Sequence, residues 1–188
     1  MEKPTGAIIN PATGEVIAIR QQHTEQDLFL AVAKAQQAQK SWAERSFSYR
    51  GRYILAMRDY LVRHADDAAA VISACTGKPS IEALATEVIP AALAAGYYAA
   101  KTQKFLKRER LMPGNLLFAN KVSYIDQVPY GVVGIISPWN YPFAIPFHEV
   151  MMALMAGNAV VLKVATQSQT VGILIGDMIK ASGLPADL

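Results

Sequence analysis

The sequence is poor in cysteine, histidine and charge. It has one cysteine, Cys75, and three histidines, and charged residues make up only 18% of its 188 positions. A single thiol cannot form an internal disulfide, and it fits a reducing compartment. Residues 1–10 contain no apolar run of the kind that a secretory leader has. We therefore expect a cytoplasmic protein.

The chain also lacks a broad excess of positive charge and a segment suited to crossing a bilayer. Its net charge is +3, and the stretch 101–110 carries that excess, with five basic residues against Glu109. The rest is nearly neutral, so we expect no nucleic-acid partner. The uncharged run 88–100 is too short to span a membrane, and four prolines interrupt the longer run 127–147. We expect no membrane partner.

Apolar residues, by contrast, make up 52% of the chain, which is enough for a sizeable core. Residues 1–112 predict an extended opening with a turn at 10–14, followed by helices that pack on the next domain. The hydrophobic spacing places these helices over 25–42, 48–74 and 80–104. Thr24 can cap the first helix, and Pro90 should kink or divide the third.

Residues 113–130 have a different character. A turn at Pro113-Gly114-Asn115 precedes an alternating stretch over 116–130, which is typical of a hairpin arm. An arm outside the main domain is a candidate for pairing with another chain. We expect it to serve oligomerisation.

Residues 131–188 predict an α/β pattern. The strands at 132–136 and 159–162 are apolar at every position, so we expect both to be buried on both faces. Helices are predicted over 147–156 and 169–181, the second capped by Ser168. This order is the start of a doubly wound parallel sheet, that is, an incomplete Rossmann-like cofactor domain. Two such strands need further neighbours, so the pattern predicts a truncated fold.

Unusual polar residues follow both predicted strands. In doubly wound sheets ligands bind at the carboxyl ends of the strands. Lys163 ends an apolar strand, which is unfavourable unless solvent or a ligand reaches its ammonium. A merely solvated lysine is the alternative. Asn140 follows the other strand, and its alternative is a residue that closes a turn.

These segments resemble the aldehyde dehydrogenase superfamily. The resemblance rests on Pro138-Trp139-Asn140-Tyr141-Pro142-Phe143 and on the segment 153–163. Segments 10–15, 76–79, 82–88 and 129–134 agree in the expected order, so the similarity covers nearly the whole chain. It implies oxidation of a small-molecule aldehyde to its acid with NAD or NADP. In the family a cysteine thiolate forms a thiohemiacetal, hydride passes to the nicotinamide, and a glutamate helps water to hydrolyse the thioester.

The resemblance also implies roles for individual residues. Asn140 would be catalytic, its amide donating to the oxyanion, a contact typically worth about 3–4 kcal/mol. Lys163 would bind the adenosine ribose. The other implied cofactor-binding residues are Ile136, Ser137, Pro138, Trp139 and Thr166. Trp139 could equally be a core residue. No metal site is implied: His148-Glu149 begins a zinc-helix motif, but Met152 occupies the position of the second ligand.

Three positions depart from the family pattern near Lys163. Val164 and Gln169 stand where the family usually has proline. Thr166 stands where NAD-preferring members often have glutamate. Without that carboxylate a 2′-phosphate meets no repulsion, so NADP is permitted. Because the three changes fall together, an altered or degraded cofactor site stays open.

The family's catalytic cysteine, glutamate base and glycine-rich turn would all lie beyond residue 188. Cys75 does not replace the nucleophile, and we interpret it as an ordinary buried thiol. Two hypotheses follow. The chain is the N-terminal part of an oxidoreductase that works as a homo-oligomer, a dimer or a tetramer. Alternatively it is a non-catalytic truncated subunit or a pseudo-enzyme. In either case we expect no dehydrogenase activity from the chain alone.

Overall fold

The computed structural model describes residues 5–188, without the side chains of residues 5 and 21. The chain opens with an antiparallel hairpin of β1 (Thr5–Ile9) and β2 (Val16–Gln21). Asn10 shapes the turn: its carboxamide oxygen accepts from the Ala12 amide at 2.9 Å, and its backbone bonds to Glu15 and Gly14. The predicted extended opening and its turn are confirmed.

The first helix, α1 (Glu25–Ala43), begins where the sequence predicts. The Thr24 hydroxyl accepts from the Asp27 amide at 3.2 Å, and the Asp27 carboxylate accepts from the Thr24 amide at 2.7 Å. This reciprocal pair is a capping box. At the other end Trp42 is buried, and its indole N–H donates to the carbonyl of Leu154 at 2.9 Å. That contact ties α1 to the last part of the chain.

The predicted helix over 48–74 is wrong as a single element, because it is two helices. The first is α2 (Phe47–Arg63) and the second is α3 (Ala65–Thr76), separated by His64 with φ −116° and ψ 30°. No proline or glycine marks the break. Gly77, with φ +74°, ends α3 in the left-handed conformation that glycine adopts most readily.

The third predicted helix is a continuous helical run with a widened turn. It comprises α4 (Ser80–Ala83), a π-helical segment (Leu84–Val88) and α5 (Ile89–Phe105). Pro90 has no N–H to donate and sits in the first turn of α5, directly after the π segment. The predicted division at Pro90 therefore takes the form of a π-bulge. The run is long and apolar enough to span a bilayer by length and composition, but it packs on α2.

A small hairpin follows. Its strands are β3 (Glu109–Leu111) and β4 (Ser123–Ile125), paired antiparallel with Arg110 opposite Tyr124. A single-turn 3₁₀ helix (Leu116–Phe118) lies between them. The predicted strand alternation over 116–130 is thus confirmed only for 123–125 and wrong for the rest, and the first strand precedes Pro113. Each strand of this hairpin has only three residues. An alternating pattern does not show where such short strands begin and end.

The last part is a β–α–β–α unit. Strand β5 (Val132–Ile136) leads through α6 (Ala144–Met155) to β6 (Ala159–Lys163), which pairs parallel with β5. A 3₁₀ turn (Thr166–Ser168) and α7 (Gln169–Ala181) follow. The α/β class and the parallel start of a doubly wound sheet are confirmed. Ser168 precedes α7 as predicted, but its hydroxyl makes no capping bond.

The expectation that β5 and β6 are buried on both faces is wrong. Ile135 is buried, whereas Ile136 is 81% exposed, and the middle of β6 is only half-buried. Among residues 5–188 this sheet has two strands, and α1 and α6 pack against it. Each strand therefore keeps one open edge, and side chains beside it stay accessible.

The core lies between the helical layer and this sheet. Its largest fully buried side chains come mainly from α1, α2, α3, α6 and α7, with Ile8 from β1 and Phe143 from the residue before α6. Those from the helices include Trp42, Ile54, Met57, Ile72, Phe147, Met151, Leu154 and Ile175. The rings of Phe143 and Phe147 stack with their centroids 5.3 Å apart. One continuous core thus connects the first and last parts of the chain.

Candidate functional site

The carboxyl ends of β5 and β6 lie side by side. Ile136 is paired with Lys163, and the Ser137 amide donates to the Lys163 carbonyl at 3.0 Å. Parallel pairing forces this arrangement, since both strands run to the same edge of the sheet. The loop 137–143 and the segment 163–166 therefore start from adjacent points.

Two open cavities flank Lys163. The first has a volume of about 550 Å³, and Lys163, Thr166 and Gln169 line it together with Arg20 and His23. The second, of about 600 Å³, lies against α1 and is also lined by Lys163. Within the described part of the chain the Lys163 ammonium has no ion-pair partner. An exposed, unpaired cation at a strand end is available to a ligand.

Three of the predicted site residues lie in an exposed loop outside both cavities. They are Pro138, Trp139 and Asn140, and Trp139 is 62% exposed. The Asn140 carboxamide makes no hydrogen bond to any of residues 5–188. Ser137, in contrast, is buried. The fold thus brings Ile136 and Ser137 against Lys163, puts Lys163 and Thr166 in one cavity, and leaves the Asn140 amide free in its loop.

The positions that depart from the family pattern shape the first cavity. Val164 packs so closely on α7 that a Cβ on Gly172 would lie 2.9 Å from a Val164 methyl carbon. Thr166 and Gln169 line the same cavity. A proline at 164 would present a different surface to Gly172, so this substitution changes the wall beside Lys163.

Two residues that the sequence analysis did not single out hold the 137–143 loop. The Lys78 ammonium lies 2.7 Å from a Glu87 carboxylate oxygen and donates to the Asn140 carbonyl at 3.2 Å. It also lies 4.4 Å from the centre of the Tyr141 ring, a cation–π distance.

The Glu87 carboxylate is completely buried beneath this loop. Its second oxygen accepts from the backbone amides of Phe143 and Ala144, at 2.9 and 3.1 Å. These amides begin α6, where negative charge is favourable. The sequence does contain a sign of this pair, since Glu87 lies on the apolar side of a predicted helix, nine positions after Lys78. The spacing does not show which loop the two side chains contact.

Cys75 lies apart from the strand ends. It is buried with its sulfur against the Thr170 hydroxyl, and burial raises the pKa of the Cys75 thiol. A raised pKa keeps the sulfur in its less nucleophilic thiol form. The interpretation of Cys75 as a buried structural thiol agrees with this environment.

The sequence model of the aldehyde dehydrogenase family matches residues 2–188. The chain belongs to the aldehyde dehydrogenase family. A Mycolicibacterium smegmatis protein named as a succinate-semialdehyde dehydrogenase (NADP(+)) is 36% identical over 168 residues, which are 88% of this chain and 31% of that protein. A Methylomonas protein named 4,4'-diapolycopene aldehyde oxidase is 32% identical over 157 residues, 84% of this chain and 30% of that protein.

Solved aldehyde dehydrogenases share the fold. The crystal structure of an aldehyde dehydrogenase from Burkholderia cenocepacia superposes with a TM-score of 0.90 at 30% identity, over 98% of this chain and 37% of that one. The chain therefore spans about a third of the length of the aldehyde dehydrogenases that it matches.

Proposed function

We propose that this chain is the N-terminal part of an enzyme that oxidises aldehydes to acids with NAD or NADP. The observation that carries the proposal is the unpaired Lys163 ammonium at the carboxyl edge of two parallel strands, facing an open cavity. Nucleotides bind at this edge in doubly wound sheets. The Asn140 loop starts from the adjacent strand end.

The residues around the first cavity fit the adenosine end of a dinucleotide. Its volume is within the usual range for small-molecule sites, about 300–1,000 Å³. Lys163 can donate to ribose hydroxyls, and Arg20 adds positive charge on the same wall. Gly172 and Gly176 offer a surface without side chains. When bound, NAD(P) would supply the hydride acceptor.

The chain's own contribution to the reaction is orientation and charge stabilisation. The Asn140 carboxamide, exposed and without a hydrogen bond within residues 5–188, is free to donate to an oxygen that gains negative charge. An amide donates at any physiological pH because it does not titrate. The exposed faces of Ile136 and Trp139 would exclude water from one side of the cofactor.

Thr166 favours NADP over NAD in this proposal. A threonine hydroxyl can donate to a 2′-phosphate, which a glutamate at the same position would repel. The M. smegmatis relative carries NADP(+) in its name. The relatives are named for two different aldehydes, succinate semialdehyde and 4,4'-diapolycopene aldehyde.

Cofactor binding by the chain is the first test. Isothermal titration with NADP and with NAD should show at least ten-fold weaker binding for Lys163→Ala than for the unmodified chain, because a charge-assisted hydrogen bond is lost. Lys180→Ala is the matched control, since Lys180 is an exposed lysine on α7. Equal affinity in the Lys163 variant would refute its assigned role.

The chemical step needs a complete enzyme. In a chimera, residues 1–188 replace the matching third of the M. smegmatis relative, and aldehyde-dependent NAD(P)H formation is followed by absorbance. Asn140→Ala should lower kcat by about 10²–10³-fold with little change in KM, as for other single oxyanion donors. Asn115→Ala, in the exposed arm, should leave kcat unchanged. A normal kcat in the Asn140 variant would contradict the proposal.

A further inference from the structure

We infer that the buried Lys78–Glu87 ion pair is a positioning device that holds the 137–143 loop and thereby aims the Asn140 amide. The inference deepens the proposed function, on which the role of Asn140 rests. Lys78 lies between α3 and α4, and Glu87 lies in the π-helical segment, so both belong to the helical layer. The loop belongs to the sheet unit, and the pair connects the two.

The contacts of Lys78 are directed at the middle of the loop. Besides Glu87, its ammonium contacts the Asn140 carbonyl and the face of the Tyr141 ring. Its side chain is 12% exposed. One cation thus fixes the backbone of the residue whose side chain is left free to act.

The contacts of Glu87 are directed at the end of the loop. One carboxylate oxygen binds Lys78 and the other binds the amides of Phe143 and Ala144. At the beginning of the loop, the Ser137 amide is bonded to Lys163. The loop is therefore held at its start by the sheet, and at its middle and end by the ion pair.

The placement of this pair argues for more than packing. Two buried charges lose much of their hydration, and apolar residues of similar volume often stabilise a fold as well or better. Here every hydrogen bond and ring contact that the two side chains make outside the pair goes to residues 140–144. An oxyanion donor must be held to within about 0.5 Å, and such accuracy needs a rigid support. The ion pair supplies that support from a second element.

The two tryptophans allow a direct test on the chain itself. The chain has two, the buried Trp42 in the core and the exposed Trp139 in the loop. After labelling with 5-fluorotryptophan, fluorine NMR gives one resonance for the loop and one for the core. In Lys78→Met the chemical shift of the Trp139 resonance should move at least half of the way to its value in the urea-unfolded chain, while the chemical shift of Trp42 stays unchanged. Lys101→Met, an exposed lysine on α5, is the matched control and should move neither.

A second variant covers the case in which Lys78→Met unfolds the chain. Lys78→Met combined with Glu87→Gln removes both charges together, and the glutamine carbonyl can still accept from the loop amides. Movement of Trp139 alone supports the inference. An unmoved Trp139 in a folded variant overturns it. Movement of both resonances in both variants also overturns it, because the pair would then stabilise the core rather than the loop.

Failure of this inference and failure of the proposed function give different results. The fluorine measurement needs neither cofactor nor substrate, so it decides whether the pair holds the loop even if NAD(P) does not bind. In the active chimera, Lys78→Met should lower kcat at least ten-fold with KM nearly unchanged. An unchanged kcat there would overturn the aiming of Asn140. An inactive unmodified chimera would count against the proposed function, and the Trp139 shift would still decide the inference.

Discussion

Arg50 shows how a single buried charge can serve carbonyl groups rather than a carboxylate. Its guanidinium is 4% exposed and donates to the carbonyls of Met155 at 3.0 Å, Arg45 at 2.7 Å and Ala43 at 3.3 Å. The carbonyls of Ala43 and Met155 end α1 and α6, where no helical donor is available, and Arg45 lies two residues beyond α1. Burial lowers the pKa of Arg50, though arginine stays charged at neutral pH. The side chain caps two helices at once.

Replacing Arg50 should therefore destabilise the chain strongly. Arg50→Met keeps most of the apolar stem and leaves buried carbonyls unpaired, so the free energy of unfolding should fall by about 2–4 kcal/mol, measured by urea denaturation. Arg63→Met, at an exposed position in the last turn of α2, should change it by less than about 0.5 kcal/mol. Equal effects in the two variants would show that Arg50 is not a cap.

Gly157, between α6 and β6, is a second residue on which the packing of the helix ends depends. Its φ is +93°, and a Cβ there would lie 3.2 Å from Arg50 and 3.5 Å from the Ala43 Cα. Gly157→Ala should lower the free energy of unfolding by about 1–3 kcal/mol, because both the backbone conformation and the space are unfavourable. Urea denaturation measures this change in the free energy of unfolding.

Gly176→Ala is the matched control for Gly157. Gly176 lies inside α7, and apart from the neighbouring backbone of α7 itself no atom lies within 4 Å of an added Cβ. Alanine is the better helix former by about 1 kcal/mol, so this variant should be more stable than the unmodified chain. Stabilisation by Gly157→Ala as well would contradict the steric account of Gly157.

At the scale of elements, local signals predicted helix starts better than helix breaks. The capping box at Thr24 has a short-range pattern, threonine followed by an acidic residue three positions on, and the start of α1 is where that pattern predicts. The break between α2 and α3 has no such pattern. There the His64 ring packs on Tyr60, with the ring centroids 4.4 Å apart, and the chain turns without proline or glycine.

The capping box makes a prediction about α1. Thr24→Ala removes the acceptor for the Asp27 amide, and the free energy of unfolding should fall by about 1 kcal/mol. Thermal unfolding followed by circular dichroism at 222 nm measures this. Thr24→Ser keeps the hydroxyl and should stay within about 0.5 kcal/mol of the unmodified chain. Similar losses in both variants would refute the cap.

At the scale of the whole molecule, the hairpin and the loop within it, residues 109–130, carry many exposed apolar side chains. The exposed side chains of the stretch 109–130 are Leu111, Met112, Leu116, Leu117, Phe118, Val122, Tyr124, Ile125, Val128 and Tyr130. A concentration of large exposed apolar side chains often marks an interaction site. It supports the second hypothesis, a subunit that pairs through this arm, as well as a homo-oligomeric enzyme.

The arm predicts self-association of the chain. Sedimentation velocity should give a defined dimer or tetramer, and replacing Leu116 and Leu117 together with lysine should shift it to monomer, since charge opposes apolar contact. Val62→Lys, at a comparably exposed position on α2, should leave the assembly unchanged. A monomeric unmodified chain, or one that only aggregates, would contradict the role of the arm.

The candidate site was predictable in part. Lys163 and the loop that contains Asn140 follow strands whose apolar runs are visible in the sequence, and parallel pairing then requires that they start at the same edge. The exposure of Ile136 was not predictable, because it depends on which strands pair beside β5. The support of the loop by Lys78 and Glu87 was not predictable either, since those contacts join positions 56 to 62 residues apart.

The sequence alone determined what short-range chemistry controls: the apolar strands, the Asn10 turn, the cap at Thr24 and the family to which the ordered motifs point. Only the tertiary structure decided which buried charges meet. Arg50 finds helix-end carbonyls, and Glu87 finds both a lysine and the start of α6. The reason is physical: periodicity shows that a charged residue is buried, but its partners come from distant segments, and only packing brings those segments together.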